Sequence, residues 1–165
     1  MKNNIALIIV FLGLLTSCYK PYKEPAGSKY TPILMTRQQL NNSFAIQSPR
    51  TMKNTGKIYA YASYIFVNEK YEGFHIISNS NPSSPQKIAF VKIPGNIDIA
   101  VKGNRLFADN GVDLLTINIA NPMEPTLLFR NQNELPSLLD PDGNRFYGGD
   151  ANRIVVGWKL NNTQN

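Results

Sequence analysis

Cysteine, histidine and tryptophan each occur once in this 165-residue chain, and their scarcity removes whole classes of chemistry. One cysteine cannot close an internal disulfide, and one cysteine with one histidine cannot complete a Cys/His zinc site. Long apolar runs are also missing: the longest, Ile5 to Leu15, is eleven residues, where a membrane-crossing helix needs about twenty. Acidic residues are fewer than basic ones, 11 against 17, for a formal charge of +6. Such an excess invites an acidic macromolecule as partner, so its distribution along the chain matters. Apolar content is ample: 42% of residues are hydrophobic, enough for the core of one ordinary domain. The length excludes a large multi-domain enzyme.

The run Ile5 to Leu15 follows the lone cation Lys2 and gives way to Thr16, Ser17 and Cys18, the layout of a secretory signal with its short apolar region. Leu15-Thr16-Ser17-Cys18 resembles the bacterial lipobox, an apolar residue and two small ones before an invariant cysteine. The resemblance implies cleavage between Ser17 and Cys18, a diacylglyceryl group on the Cys18 thiol and acylation of the freed amine. Several acyl chains on one residue anchor a protein stably where a single chain does not. An ordinary signal peptide followed by an incidental cysteine is the alternative. Residues 1–17 are therefore expected as a signal, and the chain from Cys18 as a lipoprotein of the cell envelope. Tyr19, in place of the aspartate that retains some lipoproteins in the inner membrane, points to the outer membrane. The lack of an acidic cluster after Cys18 favours its periplasmic face.

Residues 18–55 hold Pro21, Pro25 and Pro32 with Gly27 and Ser28 and show no apolar period, which predicts an extended tether. Within it Thr36-Arg37-Gln38-Gln39 has the form of a capping box, followed by Leu40 and Phe44 four apart. That pattern predicts a short helix near 36–44. The positive charge sits here: seven cations against Glu24 between Cys18 and Lys57, then nine basic against ten acidic residues from Ile58 onward. A basic stretch beside a lipid anchor is drawn to anionic head groups; a solvated tether with no specific partner is the plainer reading. Nucleic acid is not expected as a partner, because export removes the chain from DNA and the remainder is nearly neutral.

The rest of the chain repeats itself. A shift of 40 lays Phe74-His75-Ile76-Ile77-Ser78 and the following Asn81-Pro82-Ser83-Ser84-Pro85 over Leu114-Leu115-Thr116-Ile117-Asn118 and Asn121-Pro122-Met123-Glu124-Pro125. Tyr64-Ile65-Phe66-Val67 has a copy of its pattern 41 residues on, around Leu106-Phe107-Ala108. Each unit reads as short β-runs between turn residues: 57–62, 64–68, 74–78 and 87–93, then 97–102, 105–108, 114–119 and 126–129. Four short strands in about forty residues is the arithmetic of a β-propeller blade. The fold class expected is all-β, a partial propeller of about two and a half antiparallel four-stranded blades, with units at 56–95 and 96–135, a partial one at 136–160, and a polar tail at 161–165. A β-sandwich or an irregular meander is the alternative.

With Gly73 to Pro85 and, less faithfully, Gly111 to Pro125, the chain resembles the LVIVD-repeat proteins, β-propeller lipoproteins of Gram-negative bacteria. The lipobox, the Tyr30-Thr31-Pro32 segment and Ile154 to Lys159 are similar to that family too. Asn79 stands where the repeat usually has an acid, and two and a half blades fall short of a closed ring of four to eight. Sheet faces and edges so left open are expected to be covered by the tether and tail, or by other copies or a partner.

Catalytic constellations are hard to find. His75 lies in a predicted strand and reads as a pleat-face residue. Glu69 with Glu72, and Asp109 with Asp113, read as acids solvating tight turns. Asp140-Pro141-Asp142-Gly143-Asn144 has alternating oxygen side chains, but its glycine is fourth where a calcium loop wants it sixth, so it reads as a Pro-Asp-Gly turn. The glycines show no phosphate-cradle spacing. Neither an enzyme nor a cofactor or metal is expected. The function expected is a membrane-anchored, non-catalytic interaction domain that binds an envelope protein or itself. The alternative is a glycan-binding lipoprotein using loop aromatics, for which Tyr71, in the loop Asn68 to Gly73, is the expected exposed contact.

Overall fold

The computed structural model describes residues 29–148 and 152–161. The signal segment, Ser17, Cys18, the tether up to residue 28 and the tail from 162 lie outside the described residues. Strand β1 (Tyr30–Thr36) leads into the helix α1 (Arg37–Asn41) and the short strand β2 (Ala45–Gln47). Two four-stranded units follow. The first is β3 (Thr55–Tyr61), β4 (Tyr64–Glu69), β5 (Gly73–Ser78) and β6 (Gln86–Lys92). The second is β7 (Ile99–Lys102), β8 (Arg105–Asn110), β9 (Asp113–Asn118) and β10 (Thr126–Asn131), and β11 (Arg153–Leu160) closes the described chain. The fold is all-β, with antiparallel sheets of a partial propeller kind.

Both repeat units form the expected meander, each strand pairing antiparallel with the next. Asn81 and Asn121 do the same work after the third strand of each unit: their side-chain oxygens accept from the N–H groups of Ser83 and Met123, both at 3.1 Å. The blades stack face to face. Phe66, Phe74, Ile76, Ala89 and Val91 of the first interlock with Ile99, Leu106, Ala108, Leu115 and Ile117 of the second in one core. Two tyrosines of β3 bridge the blades at their rim: the Tyr59 hydroxyl donates to the Val101 carbonyl (3.1 Å) and that of Tyr61 to Asn104 (2.6 Å).

Residues 30–55, which composition places in an extended tether, contribute two strands and a helix to the folded body. β1 pairs with β11 as a separate two-stranded sheet, and β2 adds a fifth strand to the first blade along β6. Pro32 is compatible with β1 because each strand of a two-stranded sheet has one free edge, where a missing N–H costs nothing. The helix is shorter than 36–44. Thr36 caps it through a full capping box, but the Ser43 hydroxyl and N–H both bond the Leu40 carbonyl, at 2.6 and 3.1 Å. That turn ends the helix and sends Phe44 into the main core. The partial third unit is the β1–β11 sheet, built from both ends of the described chain. It lies across the hairpin ends of both blades: Gly157 meets the Tyr71 ring, and Gly111 meets Ile154 and Val155. Val155, Trp158 and Leu138 form a second small core there, with Tyr30, Leu34, Tyr71 and Phe146 packed on it.

Candidate functional site

Buried polar groups lie at the hairpins of both blades, each with its own set of partners. On the outer face of the first blade, Glu69 and His75 sit across the β4–β5 hairpin, diagonal neighbours on one face because Glu69 pairs with Gly73. Their side chains are almost wholly buried, with His75 Nε2 3.0 Å from the carboxylate. The carboxylate also accepts the N–H groups of Lys53 and Asn54. Burial alone would raise the Glu69 carboxyl; the Asn54 N–H, His75 and the Lys53 N–H outweigh it and hold it below the ordinary range. Phe90 stacks edge-on to His75 and carries the Arg50 guanidinium 3.5 Å from its ring centre. The segment 48–54 is thereby fixed over half of this face.

In the second blade Asp113, fully buried, takes Arg37 at 2.7 Å and Arg130 at 2.8 Å. It also accepts the Asn133 N–H (3.1 Å). Burial pushes its carboxyl up, and the two guanidinium groups with the Asn133 N–H more than reverse that, so it titrates below the ordinary range. Asp109 goes the other way: burial raises it, despite N–H bonds from Asp98 and Ile97 and the Asn96 amide. These acids do not simply solvate tight turns. Glu69 and Asp113 are internal anchors that bind segments preceding the repeats, and Arg37, Arg50 and Lys57 are held in ion pairs with Asp113, Glu72 and Asp98. Three cations assigned to a membrane-facing tether are thus engaged by the repeat domain.

Among the described residues no set of three or more His, Cys, Asp or Glu side chains converges to hold a metal. Asp140 accepts the N–H groups of Asp142 and Asn144 at 3.0 and 2.7 Å, a closed turn. Tyr71 is not an exposed loop aromatic. Its backbone is in the left-handed region (φ 68°), and its half-buried ring packs beside Gly157 of the terminal sheet and on the small core of Leu138, Val155 and Trp158.

The far face of the second blade carries exposed apolar side chains. Strand register places Ala100, Phe107, Thr116 and Phe129 in one row across it, with Asp109, Leu114 and Asn131 in the next. Phe129 is 62% exposed. A cavity of about 250 Å³ opens between Ala100, Phe107, Asp109, Leu114 and Leu135, and another of about 550 Å³ lies between Phe107 and the Lys102–Arg105 turn. No reading of the sequence singled out this surface. Both faces of a blade strand are apolar, so alternation alone cannot say which face stays uncovered.

Comparison with protein families gives two adjacent matches to the LVIVD repeat, over residues 53–91 and 96–132, which coincide with the two blades. No curated protein and no solved structure matches the chain.

Proposed function

The chain is an LVIVD-repeat protein, and from that premise we propose that it is a membrane-anchored lipoprotein of the cell envelope whose blades form a non-catalytic interaction domain. The observation that carries the reading is the open apolar face of the second blade, centred on Phe107 and Phe129. Exposed contiguous apolar surface of this kind is costly in water and marks a site of association. The lipobox ending at Cys18 supports the anchor, with an acyl group on Cys18 holding the domain at the outer membrane.

Two substitutions test the two halves separately. Cys18→Ala releases the protein from the membrane fraction and abolishes incorporation of labelled palmitate; a variant that stays membrane-bound without lipid overturns the anchor. Phe129→Asp leaves anchoring intact and removes the cross-linked species formed by the parent protein in intact envelopes. If the cross-linking pattern of Phe129→Asp is that of the parent, the open face is not the interaction surface.

A further inference from the structure

We propose that the open face of the second blade is covered by the first blade of another copy of this chain, so that copies pack head to tail and close into a ring. The inference rests on the interaction-domain reading and names its partner. It follows from the repeat register. Offsets of 41 in the first two strands and 40 in the last two, the difference being one residue in the middle turn, carry Tyr59, Phe66, Ile76 and Ala89 onto Ala100, Phe107, Thr116 and Phe129. In the first blade that row faces the core and packs on the second blade. In the second blade the same row is the uncovered one.

The complementary surface is also present and also open. The row of the second blade that fills the internal contact is Val101, Leu106 and Ile117. The same offsets carry it back to Ala60, Ile65 and Ile77 on the outer face of the first blade. The segment 48–54 is held over Glu69 and Phe90 but leaves this half accessible, and Ile58, the counterpart of Ile99, is 66% exposed. Each copy therefore carries one uncovered donor face and one uncovered acceptor face of an interface it already makes once within itself. Charge agrees. Lys57 pairs with Asp98 across the internal contact at 2.7 Å, and the offset exchanges these two positions, so Asp98 of one copy meets Lys57 of the next. A heterologous contact either closes or runs on as a filament. Closed propellers hold four to eight blades, so the two described blades of each copy close with two to four copies.

The full chain, extracted in mild detergent and weighed by native mass spectrometry, is expected as a complex of two to four copies; a monomer overturns the proposal. Phe129→Asp and Ile58→Asp, both at exposed positions, each give monomers. Mixed in equal amounts they recover a one-to-one pair, because each retains the face the other has lost. A mixture that stays monomeric, or variants that keep the parent mass, overturn it. Thr116→Cys combined with Ile77→Cys checks the contact without removing apolar rows, by an oxidative cross-link between copies; no cross-link counts against the ring. A monomer that still cross-links to an envelope protein through the Phe129 face ends the ring and leaves the interaction domain standing, whereas loss of both removes both.

Discussion

Asp113 shows how one buried carboxylate can hold three parts of a chain. It joins Arg37 at the start of α1, Arg130 in β10 and the backbone of Asn133. Removing the charge leaves Arg130, whose side chain is only 10% exposed, with the neutral Asn110 oxygen at 2.6 Å and no counter-charge on that side. Breaking a buried pair from one side costs about 3 to 5 kcal/mol, reduced here because Arg37 is partly solvated. Asp113→Asn is therefore expected to lose roughly 2 to 4 kcal/mol, read as a fall in the urea midpoint at unchanged slope. Asp113 and Glu69 also set the acid limit of the fold. Their folded pKa values lie below the ordinary ones, so their contribution is fully present above the ordinary carboxyl range, near pH 4. It is lost as pH falls through the depressed folded values. Stability measured by denaturant from pH 7 downward should stay level to about pH 5 and then drop; in Asp113→Asn the drop should be shallower. A drop of equal depth in both would show that Asp113 is not responsible.

Hairpin by hairpin, the blades were legible. The eight runs of β-branched and aromatic residues between Lys57 and Phe129 all became strands, because each unit repeats its turn chemistry as well as its strands. β1 and β2 were not legible: Pro32 and the surrounding charge argue against a strand, and only partners distant in sequence, β11 and β6, make them strands. The Glu69–His75 pair could have been found from the hairpin Asn68 to His75, whose register puts both on one face; Asp113 with Arg37 could not, since 76 residues separate them. Two turn glycines are similarly demanded by the packing of elements. Gly73 has φ 134°, and a Cβ there would overlap the Val91 carbonyl oxygen of β6; Gly95 has φ 82° and would press into the backbone of Gly111. Each combines about 1 to 3 kcal/mol of backbone strain with a clash against main chain. Gly95→Ala is expected to lower the melting temperature by roughly 5 °C or more, while Gly103→Ala, where a Cβ meets nothing, pays only the strain of its φ and shifts it less.

For the molecule as a whole, two blades share one core, and a third sheet crosses their hairpin ends. The core is deep enough that Phe66→Ala, at a fully buried position between the blades, should cost about 3 to 5 kcal/mol by calorimetry. A loss below about 1 kcal/mol would mean that the blades do not pack on each other as described. The terminal sheet belongs to a different order of events. Its strands are the first and last of the described chain, and Asn161 bonds back to the Lys29 carbonyl at 2.7 Å, so both blades lie inside the loop it closes. Closing a free loop of about a hundred residues costs roughly 4 kcal/mol in chain entropy. Blades already formed from neighbouring strands shorten that loop to little more than their own width. The blades are thus expected to form first, and β1 must wait, unpaired, until β11 arrives: the two-stranded sheet fastens last, and any step that holds back β11 also holds β1 open.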